Sequence, residues 1–216
     1  MSAALAVGLS LIASAAQGQA REVDVTKPAT ATGVVDINNL AGEVIVTGWD
    51  RDEIHVRGRL GEDVEELVFE VDGDETEIEV KIPKNSRKRN MKVASDLEIR
   101  VPARSSVEIC VVSAGIEVTK MAGEIIDIQS VSGGVLVADA LGRVEVHSVS
   151  GRVEIGGTMS TVEVESVSGP VAVRGRQDSV EVSNISGRID IEGVQRTLDV
   201  ESVSGKTVIN AGTLSA

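Results

Sequence analysis

Four residues recur through the second half of the chain at a fixed interval, and that interval restricts the fold more than any other feature. Ser-Val-Ser-Gly begins at Ser130, Ser148, Ser166 and Ser202, with Asn-Ile-Ser-Gly at Asn184. Gly133, Gly151, Gly169, Gly187 and Gly205 are 18 residues apart, as are Ser132, Ser150, Ser168, Ser186 and Ser204. Each unit carries two short alternating runs, such as Val135-x-Val137 and Val144-x-Val146. Period-two alternation marks strands with one buried face. A strand pair this short cannot bury its apolar face alone, so successive copies must stack. The expected fold is therefore all-β: a single-stranded parallel β-solenoid (β-helix) with 18-residue coils, its hand undetermined. A hexapeptide left-handed helix is ruled out, because Val131, Val137 and Arg143 break its six-residue apolar rule.

The composition agrees with stacked aliphatics. Hydrophobic residues make up 42% of the 216, yet Trp49 and Phe69 are the only aromatics and there is no tyrosine. The net charge of −13 is spread evenly, with −6 over residues 21–106 (13 basic, 19 acidic) and −7 over 107–216 (8 basic, 15 acidic). Such a surface repels nucleic acid and anionic membranes. The lone Cys110 excludes an internal disulfide and any multi-cysteine metal site. No cofactor is implied.

Residues 1–20 are uncharged and rich in Ala and Leu, with small residues at Gly18 and Ala20. They read as a signal peptide cut before Arg21, too short to span a bilayer. No later segment could serve as a membrane span, so export to the periplasm or cell surface of a bacterium is the expectation.

The first half reads as the same unit interrupted. "NLAGEVIVTGWDRDEIHV" places Gly42, Val44, Val46, Ile54 and Val56 near where later copies place theirs. "LVFEVDGDETEIEVKIP" reads as two strands around Asp72-Gly73-Asp74. A basic loop, Lys84 to Lys92, precedes "SDLEIRVP". Residues 21–106 are thus expected to form an irregular, capping part of the solenoid and 107–216 its regular part; a separate small β domain is the alternative for the former.

The glycine-centred "SG-x-V-x-V" copies, the opening "N-x-x-G-x-V-x-V-T-G-W-D" and "L-x-I-x-V-P" before the repeats resemble the bacterial putative-adhesin family over roughly residues 34–216. The resemblance implies a β-solenoid envelope protein and brings no catalytic residues.

The serines could suggest a nucleophile. A hydrolase elbow needs Gly-x-Ser-x-Gly before a helix; here glycine directly follows the second serine and no helical spacing is present. The structural reading accounts for every letter: glycine for positive φ or close approach, serines bonding turn backbone, and the middle Val or Ile filling the corner. His55 and His147 fall at outward positions. Asp127, Glu145, Glu163, Glu181 and Asp199 occupy one repeat position and should stack as an acidic ladder. Like charges about 4.8 Å apart repel by roughly 0.9 kcal/mol even in water. Arginines should screen the ladder, and divalent-cation binding is the sharper reading, which a calcium-dependent rise in melting temperature would reveal.

The leading expectation is a non-enzymatic, exported envelope solenoid that acts as an adhesin-like binding or structural module. Its partner would be an envelope protein or a polysaccharide. The alternatives are a polysaccharide-acting enzyme, its site around Asp50, Asp52, Glu53 and His55 or in the 60–106 excursion, and an envelope scaffold that self-associates end to end through the C-terminal coil.

Overall fold

The computed structural model describes residues 20–83 and 90–210. The signal-peptide reading and most of the basic loop fall outside those residues. Among the described residues every regular element is a strand, and all fourteen belong to one sheet. They are β1 (Arg21–Pro28), β2 (Val34–Trp49), β3 (Glu53–Leu60), β4 (Glu66–Asp72), β5 (Glu75–Lys81), β6 (Ser95–Pro102) and β7 (Ser106–Thr119), then β8 (Ile125–Ser132), β9 (Val135–Ala140), β10 (Arg143–Ser150), β11 (Val153–Ser168), β12 (Val171–Ser186), β13 (Ile189–Ser204) and β14 (Thr207–Asn210). No helix among the described residues is long and apolar enough to cross a membrane.

From β8 onward the pairing is parallel and moves in steps of one repeat. Val146 lies between Ile128 and Val164, and Val182 between Val164 and Val200. The other run stacks in the same way, Val137 on Ile155, Ile155 on Val173 and Val173 on Ile191. Because equivalent positions meet at each step, one column of the core runs Ile78, Ile37, Ile109, Ile128, Val146, Val164 and Val182, each at most 1% exposed. The core is almost wholly aliphatic; Phe69, Met121 and Met159 are its bulky exceptions.

At the glycine of each repeat the chain turns with φ between +126° and +149°. A Cβ on Gly151 would stand 1.9 Å from the carbonyl oxygen of Gly133, and one on Gly169 would stand 2.0 Å from that of Gly151. Only glycine meets both demands, the backbone angle and the absent side chain. A second glycine column, Gly157, Gly175 and Gly193, turns the chain again with φ of +131°, +118° and +90°.

The N-terminal part departs from simple continuation. β2 pairs in parallel with β7 on one side, and with both β5 and β6 on the other, so two strands of the excursion share one rung. β4 folds back on β5 around Gly73, whose φ is +65°. Ile54 and Val56 are buried, but not as the second run of a coil. After the bend at Asp50–Asp52, β3 runs antiparallel to β6 and to β1. The charged bend reverses the chain, so the same alternation is spent on an antiparallel layer.

Candidate functional site

The alternation that builds the core also fixes what the Ser-Val-Ser-Gly corner shows to solvent. With Val144 and Val146 pointing inward, the next inward residue is Ser148 and the next outward one is Val149. Ser130, Ser148 and Ser166 are 4% exposed and Asn184 is 1% exposed. The middle residues instead stand in water: Val112 46%, Val131 49%, Val149 48%, Val167 45% and Ile185 51%. The expected corner filling by Val or Ile is therefore inverted. Serine fits inside because it is small, but the buried hydroxyls of Ser130, Ser148 and Ser166 have no hydrogen-bond partner among the described residues, so the expected bonding of backbone falls to the second serines, Ser132 and Ser150. The outward aliphatic is free to form a second ladder, on the surface.

That ladder is the floor of a groove of about 1380 Å³ that runs across the strands from Leu40 through Val112 and Val149 to Ile185. Its backbone is pinned from the next rung: Ser132 Oγ donates to Val112 O at 3.2 Å, and Ser150 Oγ donates to Val131 O at 3.3 Å. Beside the floor runs a polar row, Cys110, Gln129, His147, Glu165 and Ser183. His147 Nδ1 lies 3.1 Å from Glu165 Oε2. The β4–β5 hairpin closes the end nearest β2 with Glu65, Glu66, Glu79, Lys81 and Pro83. Lys81 Nζ lies 3.7 Å from Glu66 and 3.6 Å from Glu79, so the hairpin's cation is already paired. Cys110 is half-buried, and its thiol pKa is pushed up first by that burial and then by the carboxylates of Glu108, Asp36 and Asp127.

The acidic ladder lies two residues before this row on each strand, on the same outward face. Register extends it past the five repeat residues: Glu77 faces Asp36, Asp36 faces Glu108 and Glu108 faces Asp127, ahead of Glu145, Glu163, Glu181 and Asp199. Arg143 bridges two rungs, with Nε on Glu145 and Nη2 2.7 Å from Glu163 Oε2. Burial, and then Glu79, raise the pKa of Asp36, against a hydrogen bond from Asn38 Nδ2 at 2.8 Å. Among the described residues no group of three or more His, Cys, Asp or Glu side chains is arranged to hold a metal ion. The carboxylates form a row, and a row is not a cage.

The structure does not bring His55 and His147 together. His55 Nε2 lies 2.9 Å from Asp24 Oδ1, and its ring stacks on Trp49 with centroids 6.3 Å apart. The guanidiniums of Arg51 and Arg100 lie 5.0 and 5.9 Å from the Trp49 ring, and the indole Nε1 donates to Glu53 O. Trp49 thus packs His55, Arg51 and Arg100 around the Asp50–Asp52 bend.

A known protein shares this fold at low identity. A putative adhesin from Bacteroides fragilis NCTC 9343 superposes with a TM-score of 0.57 at 14% identity, over 89% of this chain and 97% of that one. A putative cell adhesion protein from Clostridium sporogenes ATCC 15579 gives 0.45 at 10% identity, over 89% of this chain and 100% of that one. No curated protein matches the chain. The sequence itself decides the kinship. Residues 42–213, from the first corner glycine of β2 through the last repeat, match Toastrack DUF4097, and the chain belongs to that family.

Proposed function

We propose that this protein is a non-enzymatic, exported binding module of the bacterial envelope. In this reading the strands form a β-solenoid of 18-residue coils, residues 21–106 cap it, and the groove along the corners is its recognition surface. The observation that carries the reading is the exposed aliphatic ladder. Soluble monomers rarely expose large contiguous apolar patches, and those they do expose are often functional. Here the pattern repeats one half-exposed aliphatic at every rung while the core uses inward positions only, so the ladder lies outside the core of its own coil. The family membership and the adhesin-like fold neighbour support a role in contact with a partner.

A photo-crosslinking residue placed at Val149 in cells that export the protein tests the assignment, with the same residue at Leu136 as control. Leu136 is also exposed, at 38%, but lies outside the groove. Adducts are expected at 149 and not at 136; equal labelling, or none at 149, removes the groove from the reading. Sequencing of the exported protein should begin at Arg21, and a mature chain that retains residues 1–20 contradicts the export signal.

A further inference from the structure

We infer that the occupant of the groove is a cationic amphipathic helix lying across the strands, an inference that rests on the groove being the recognition surface. Direction comes first. The floor runs perpendicular to the strands through the middle of the sheet, where rungs on both sides already pair the backbone. An added strand therefore has no edge to join. An extended chain laid across the rungs would repeat its side chains on one face every ~6.8 Å, out of step with rungs ~4.8 Å apart. A helix returns to the same face every ~5.4 Å and meets about four successive rungs before drifting out of register.

Size agrees. The floor from Leu40 to Ile185 is five rung steps, roughly 24 Å, the length of about 16 helical residues. A helix about 10 Å wide over that length has a volume of roughly 1900 Å³, so a groove of about 1380 Å³ seats its apolar face and leaves the opposite face in water. Small-ligand pockets are about 300–1,000 Å³. Charge then selects the sign. Among the described residues the lining carries Glu65, Glu66, Glu79 and Glu165 against Lys81, which pairs with two of them, and His147, which lies 3.1 Å from Glu165, so it is net negative, as is the whole chain at −13. An anionic partner, including a second copy of this chain, is repelled. A helix with aliphatics on one face and lysines on its flanks satisfies floor and rim together.

Fluorescence anisotropy tests this with the full chain and a labelled 14-residue Leu/Lys peptide patterned as an amphipathic helix. Micromolar binding is expected, weakened several-fold between 50 and 300 mM NaCl. The double variant Val149→Lys, Val167→Lys should lose at least tenfold, whereas Leu136→Lys should lose nothing. Both sites are on the surface, and an unchanged melting temperature confirms that the variants fold. Glu79→Lys with Glu165→Lys should shift preference toward a Leu/Glu peptide of the same pattern. Equal binding of the Leu/Glu peptide to the natural chain, or of a Leu/Lys peptide with its leucines scattered, overturns the inference. So does indifference to the floor variant. Binding of a fluorescent sixteen-carbon fatty acid in the groove without peptide binding overturns the helix but leaves the groove reading standing. Failure of the peptide together with absent crosslinking at 149 overturns both.

Discussion

One carbon atom decides whether two coils can stack. A Cβ at position 151 would fall 1.9 Å from the Gly133 oxygen, on a residue whose φ is +137°. Gly151→Ala is expected to lower the melting temperature by about 5–10 °C. Gly134→Ala, with only Arg152 O at 4.0 Å and no positive φ, should leave it within a degree or two. Calorimetry on the pair separates the corner from its neighbour. At Cys110, burial and three nearby carboxylates favour the neutral thiol. Since the thiolate is the reactive form, iodoacetamide should alkylate Cys110 at pH 8 more slowly than free cysteine. Faster alkylation would contradict that environment. The corner glycines were legible as residues because their spacing is regular. The exposed valine was not, although the signal was present: parity counted from Val144 and Val146 puts Ser148 inside and Val149 outside. Reading the motif as a turn obscured that count, because a turn suspends the alternation and this strand does not.

At the scale of the element, the acidic ladder is a property of register. Three of its rungs, Glu77, Asp36 and Glu108, were illegible in the sequence because the period fails there. β2 and β7 meet 72 residues apart, and β7 meets β8 at an offset of 19, as Val107 on Ile126 shows. Only pairing brings them into line. Asp36 sits between Glu77 and Glu108 with its pKa raised by burial. The folded protein therefore holds this proton more tightly than the unfolded chain. Stability from this site falls as pH rises from the ordinary carboxylate value through the raised one. Asp36→Asn should raise the melting temperature by about 1–3 °C at pH 7. The gain should shrink in high salt and vanish in acid, where Asp36 is protonated; a gain that persists in acid would assign the effect to packing.

Across the whole molecule, the period of 18 and the all-strand character were readable because each rung repeats one solution to one packing problem. The antiparallel layer of β1 and β3 was not readable. Its residues alternate like those of a coil, and only the Asp50–Asp52 bend distinguishes reversal from continuation. The regular part makes a stronger prediction. Duplicating residues 151–168 in frame after Ser168 inserts one more rung whose neighbours are copies of its natural ones. The longer protein should melt no lower than the parent. Loss of melting temperature on insertion would mean that the rungs are not interchangeable.

The inward serine and outward valine of each corner have a consequence for length. Every 18 residues of chain adds one notch of about 4.8 Å to the exposed track and one more outward aliphatic to its floor, while the polar residue beside it varies from rung to rung. The groove is therefore graduated. Its length is an integer number of rungs, set by counting repeats.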